Sequence, residues 1–211
     1  MRDPREEIIA VTHALDDAGM VPNKSGNVSC RVEGGFAITP AGIPYRELAP
    51  SHIVTLRLEA PVAATVPRPS SEWRMHAAIY RARPEVHAIV HTHSPRATAL
   101  AAAGRGIPPF HYMISLAGGD VRCMPYATFG TAELAESAVR GLQDRRACLL
   151  GNHGVMATGS TLARAHAVAV EVENLADEYL SMLSAGLVPQ LLDDAEIQKV
   201  VALFADYGRL G

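Results

Sequence analysis

His87-Ala-Ile-Val-His-Thr-His93 is an apolar run closed by two histidines, and it reads as a buried strand. Side chains two apart on a strand project from the same face, so His91 and His93 stand together at its end. The flanking segments set the fold class. Before the run, Ser70 begins a helix that Arg83-Pro84 stops, because a residue preceding proline is pushed out of the helical region. Earlier still, Val28–Val32 and Phe36–Thr39 flank Gly34-Gly35 as a hairpin, Ile53 to Leu58 alternate as a strand, and residues 5–19 carry apolar positions at helical spacing. After the run, Pro95 to Ala103 reads as a short helix and Thr131 to Gln143 as another. Ala147 to Leu150 is a short buried strand, Ser160 to Ala185 a long helix, and 193–206 a final amphipathic one. Residues 104–130 are rich in Gly and Pro and receive no element. Strands mixed with helices, without repeat or linker, predict a single layered α/β domain over residues 1–211, with helices covering a mixed or antiparallel sheet.

Composition narrows the chemistry. Hydrophobic residues make up 48% of the 211 and charged ones 19%, a balance that fills a sizeable core and argues against disorder. The 19 basic side chains include only two lysines, Lys24 and Lys199, against nine histidines. Schiff-base catalysis needs a desolvated lysine, which leaves Lys24 as its one candidate and turns attention to metal or proton chemistry. A formal charge of −3 gives no footprint for nucleic acid. Cys30, Cys123 and Cys148 are odd in number and lack CxxC spacing, so neither a disulfide framework nor a cysteine zinc site is indicated. The charged start and the absence of about 18 continuous apolar residues lead us to expect a cytoplasmic protein without membrane attachment.

Three constellations carry possible chemistry. Gly151-Asn-His153-Gly follows a short apolar strand and offers a third histidine to His91 and His93; three such ligands with one open position suit catalytic zinc. The same residues also suit two core histidines and an unrelated turn histidine. Pro69-Ser-Ser-Glu-Trp gathers hydroxyls and unpaired N–H groups at a helix start, which serves either an anion or ordinary capping by Ser70 or Ser71. Lys24-Ser-Gly-Asn27 with Thr39-Pro-Ala-Gly42 is a second anion cradle or a pair of plain turns. His13, His52, His76, His87 and His166 lack partners at ligand spacing and read as structural, and periodicity gives Tyr112 and Tyr207 only packing roles.

Taken together, Ser25-Gly-Asn-Val-Ser, Ile38-Thr-Pro-Ala-Gly-Ile-Pro-Tyr, Pro69-Ser-Ser-Glu-Trp-Arg-Met-His, Val90-His-Thr-His, His111-Tyr-Met and Pro125-Tyr-Ala-Thr-Phe-Gly-Thr resemble the class II sugar-phosphate aldolase family, which shares its fold with adducin. The matching segments run from about residue 6 to Tyr207-Gly. The resemblance implies an α/β/α fold around a mixed, largely antiparallel sheet. It also implies a homotetramer with one Zn²⁺ per subunit and sites between subunits. His91, His93 and His153 would be ligands, with Glu72 near the metal at rest and serving as acid/base. Gly26, Asn27, Gly42, Ser70 and Ser71 would hold a substrate phosphate. Tyr112 and Tyr207 would reach a neighbouring site, the C-terminal helix and tail from about 190 to 211 completing it. The implied reaction is retro-aldol cleavage of a ketose 1-phosphate, L-fuculose 1-phosphate or a similar 5-deoxy-ketose 1-phosphate, to dihydroxyacetone phosphate and a short aldehyde such as L-lactaldehyde. A pentulose-phosphate 4-epimerase, a methylthioribulose-1-phosphate dehydratase and a non-catalytic adducin-like module share the fold. Three departures stand out: Ala41 replaces a phosphate-contacting threonine, Lys24 replaces a small polar residue and would offset the hydroxyl lost at Ala41 if its ammonium reaches the same anion, and Asn152 replaces a frequent histidine.

Overall fold

The run that ends in His91 and His93 forms the middle strand of a seven-stranded sheet among the described residues. The computed structural model describes residues 4–59 and 66–207, with no side chains from 205 onward. The chain runs α1 (Pro4–Asp17), β1 (Asn27–Val32), β2 (Gly35–Ile38), β3 (Val54–Arg57), α2 (Trp73–Ala82), β4 (Ala88–Thr92), α3 (Pro95–Ala102), β5 (Arg122–Met124), α4 (Ala132–Gly141), β6 (Ala147–Leu150), β7 (Gly154–Gly159), α5 (Leu162–Ser184) and α6 (Asp194–Tyr207). The sheet order is β3-β2-β1-β4-β7-β6-β5, antiparallel throughout except for the parallel β5–β6 pair. This is the expected mixed, largely antiparallel sheet.

Strand alternation divides the interior into two cores. Val28, Ala88, Val90, Leu149 and Val155 face α1, α3 and α5, whereas Phe36, Ile89, Cys148, Leu150 and Met156 face α2 and α4. His91 is two residues from Ile89, so β4 presents its histidines toward α2 and α4. Asn27 lies directly opposite His91 in the β1–β4 register. The three-layer arrangement therefore places the end of β4 under the start of α2.

Two strands escape the sequence reading. β7 falls in Gly154-Val-Met-Ala-Thr-Gly, a short run bracketed by glycines and next to a strong helix signal, and β5 has three residues inside the Gly/Pro-rich stretch. Both depend on long-range pairing rather than on local pattern: β7 is held between β4 and β6, and β5 by β6 alone. The helix expected from Ser70 begins at Trp73, with Glu72 at the N-cap and no side-chain cap hydrogen bond. Ser70 to Glu72 form the entering turn, in which the Trp73 N–H donates to the Ser70 carbonyl. No helix among the described residues is long and apolar enough to cross a membrane.

Phe36 is fully buried and its ring lies 5.3 Å from that of Tyr80. Phe36→Ala is expected to destabilise the fold by about 3–5 kcal/mol, read by denaturant titration. A loss below about 1 kcal/mol would contradict the two-core description.

Candidate metal centre and its cleft

His91 and His93 arrive from β4, and His153 arrives on the tight loop joining β6 to β7. Leu150 pairs with Gly154 across that loop, leaving three residues to turn, and Asn152 supplies the positive φ of 54° that such loops need. Gly154 then passes so close to β4 that a Cβ there would lie 2.3 Å from the Thr92 carbonyl oxygen and 3.0 Å from the His93 ring. The glycine is what lets His153 approach the β4 pair. The three rings are mutually edge-on, every pair of centroids 4.9 Å apart.

Glu72 completes the group from the start of α2. Its Oε2 is 3.1 Å from His91 Nε2, its Oε1 is 3.0 Å from His153 Nε2, and His91 Nε2 is 3.0 Å from His93 Nε2. Tetrahedral zinc with bonds of about 2.0–2.1 Å holds its donors roughly 3.3 Å apart, so these separations fit one ion. The donor set fits as well. His91 Nδ1 lies 2.8 Å from the Val155 carbonyl, which fixes that nitrogen as the proton carrier and turns the Nε2 lone pair inward. Glu72 Oε1 is buried without an aligned hydrogen-bond donor, an orphan that a cation would satisfy.

The electrostatics follow from packing imidazoles around a carboxylate. Burial alone would raise the Glu72 pKa, but His91 and His153 outweigh it and hold the carboxyl well below its usual range. Burial likewise opposes charge on His91, yet Glu72 raises its pKa. His93 is pushed down to about 3, by burial first and then by the two neighbouring histidines. The cluster carries its carboxylate ionised and keeps His93 neutral, the states a metal requires.

Three of these donors, Glu72, His93 and His153, line a cleft of about 400 Å³, with the buried His91 behind them. All six residues expected at the phosphate end line it: Lys24, Gly26, Asn27, Gly42, Ser70 and Ser71. Lys24 is the only lysine or arginine among the described residues lining it, and it is held at φ 62°. Three of the six already have partners, Ser70 through its Oγ, which accepts the Glu72 N–H at 3.3 Å. The Gly26 N–H donates to the Tyr45 hydroxyl, 3.1 Å away, and that hydroxyl donates back to the Gly26 carbonyl at 2.5 Å. Asn27 is held at both ends of its side chain, by Glu72 and by His76. Burial pushes the Tyr45 pKa up to about 12, so the phenol stays protonated and the loop stays pinned.

Tyr112 is half exposed, stacks on Phe204 of α6, and does not line the cleft of its own chain. The side chain of Tyr207 and residues 208–211 lie outside the described residues. Sequence reasoning gave no role to Tyr45, Tyr126 or Phe129, which line the cleft from loops without periodicity. The motif Pro125-Tyr-Ala-Thr-Phe-Gly-Thr was the available signal for the last two.

The family model of the class II aldolase and adducin N-terminal domain matches residues 6–180. The chain belongs to this family. The class II aldolase is 46% identical over 209 residues to the 5-methylthioribulose-1-phosphate/5-deoxyribulose-1-phosphate aldolase of Rhodospirillum rubrum, covering 95% of this chain and 93% of that one. It is 42% identical over 203 residues to the L-fuculose phosphate aldolase of Escherichia coli K12, covering 96% and 94%. A solved L-fuculose 1-phosphate aldolase superposes with a TM-score of 0.92 at 37% identity over 97% of each chain. As a class II aldolase the protein is a metal-dependent lyase.

Gly154→Ala is expected to lower zinc affinity by about tenfold or more while leaving secondary structure intact, measured by chelator competition and circular dichroism. Unchanged affinity would show that the close β7–β4 approach does not hold the ligand geometry.

Proposed function

We propose that the enzyme carries out zinc-dependent retro-aldol cleavage of a ketose 1-phosphate with a deoxygenated chain end, 5-deoxyribulose 1-phosphate or L-fuculose 1-phosphate, to dihydroxyacetone phosphate and a short aldehyde. The observation that carries this reading is one cleft that brings together two chemically distinct sets of groups: a His₃Glu cluster and a lysine-and-hydroxyl cradle. The named activities of the relatives at 46% and 42% identity support the substrate class.

His91, His93 and His153 would hold a zinc ion, which would supply Lewis-acid stabilisation of the charge that develops at C3 and the C2 carbonyl when C3–C4 breaks. The residues divide the remaining work. Lys24, Ser70, Ser71 and Gly42 clamp the phosphate, so a non-reacting group orients the reacting carbons. Gly26 and Asn27, already partnered, shape the cradle wall. Glu72 takes and returns the proton at C3. Tyr112 and Tyr207 come from neighbouring subunits of a homotetramer, the former exchanging a proton with the C4 oxygen. Tyr126 and Phe129 are exposed aromatic side chains on the cleft wall and give a deoxygenated chain end an apolar surface. Lys24 offsets the hydroxyl missing at Ala41 with a charge-assisted contact.

A coupled assay for dihydroxyacetone phosphate across 5-deoxyribulose, L-fuculose, L-ribulose and L-rhamnulose 1-phosphates tests the reading. The first two are expected to be cleaved best, and absence of dihydroxyacetone phosphate from all four would overturn it. Glu72→Gln is expected to retain zinc but lose cleavage by about 10²–10⁴-fold; near-normal turnover would remove Glu72 from proton transfer. Tyr112→Phe is expected to impair cleavage more than C3 proton exchange on dihydroxyacetone phosphate, and equal losses would contradict its place at the aldehyde.

A further inference from the structure

His76, set aside by its spacing as structural, lies fully buried in the middle of a hydrogen-bonded ladder between α2 and β1. Glu72, His76 and Tyr80 recur every four residues and share one face of α2, while Asn27 and Ser29, two apart, share the facing side of β1. The two sets interleave. Asn27 Nδ2 is 2.8 Å from Glu72 Oε2, Asn27 Oδ1 is 2.5 Å from His76 Nε2, His76 Nδ1 is 2.6 Å from Ser29 Oγ, and Ser29 Oγ is 2.8 Å from the Tyr80 hydroxyl. None of the five residues is more than 8% exposed.

The bonds in the ladder take one direction from the placement of Asn27. Its amide nitrogen donates to Glu72 Oε2, so its carbonyl oxygen faces His76 and accepts. His76 Nε2 then carries a proton. Burial pushes the His76 pKa down to about 3, so the ring is neutral and its Nδ1 is an acceptor. Ser29 must donate to it, and Tyr80 must donate to Ser29. The proton line therefore runs one way, from the Tyr80 hydroxyl to Glu72 Oε2.

We propose that this ladder is a positioning device which clamps Glu72 by Oε2, so that the carboxylate keeps one orientation with Oε1 turned toward His153. His76 is its central positioning residue, acting on Glu72 through Asn27. Oε2 already receives the Asn27 N–H, whereas Oε1 has no aligned donor. The effect on turnover rests on the proposed role of Glu72, whereas the geometry of the ladder does not.

Neutron diffraction from the deuterated full-length protein reads the ladder directly. The expected map has a deuteron on His76 Nε2 and none on Nδ1, with the Asn27 amide deuterons toward Glu72. A deuteron on Nδ1 would overturn the proposal. In solution, His76→Leu is expected to lower kcat for C3 proton exchange about tenfold with KM within about twofold. His76→Gln, which can still present an N–H to Asn27, is expected to recover most of that loss. Equal rates for wild type and His76→Leu, or equal losses for Leu and Gln, would reject a positioning role. Ser29→Ala serves if His76→Leu does not fold: it removes the donor to Nδ1 but leaves Asn27 in place, so the deuteron is expected to stay on Nε2 with none on Nδ1. A deuteron moved to Nδ1 in Ser29→Ala would contradict the ladder. If wild type cleaves no ketose 1-phosphate, the functional reading fails while the deuteron map still decides the ladder.

Discussion

Glu72 is a carboxylate held 8% exposed at the mouth of α2, and burying such a charge costs several kcal/mol unless it is paired or bound to a cation. His91 and His153 meet its two oxygens, and Asn27 supplies a neutral N–H to one of them. This concentration of donors in one place constrains the rest of the fold. It requires β4 at the sheet centre, β1 and β7 on either side of it, and a helix start directly above. A metal-independent protein would have little reason to keep four ligand-type side chains converging at buried or half-buried positions within 4.8 Å of one another.

Two sets of groups line the cleft. One is a lysine, hydroxyls and turn backbone, which in the proposed reaction hold the substrate phosphate. The other is imidazoles and a carboxylate, with shifted pKa values that follow from burial and mutual charge. Tyr45 keeps the first set in shape by bonding both the N–H and the carbonyl of Gly26, and the α2–β1 ladder does the same for the second. Both devices use tyrosine hydroxyls whose burial keeps them protonated.

Much of this was legible in the sequence because the ligands occur in short motifs at element ends. His91-Thr-His93 closes an apolar strand, His153 follows another, and Glu72 opens a helix whose end a proline fixes. The unread parts are those set by distant pairing. β7 and β5 are too short to show a period of their own and exist because β4 and β6 offer them edges. His76 looked ordinary because its meaning lies in register: four-residue spacing on α2 must meet two-residue spacing on β1 before the ladder appears.

Anomalous X-ray diffraction at the zinc edge, on crystals of the full chain grown with zinc, tests the central claim most directly. The predicted map contains one strong peak per subunit, about 2.0–2.1 Å from the Nε2 atoms of His91, His93 and His153. A map with no peak there, or with zinc held only by other residues, would contradict the metal centre on which the rest of the account is built.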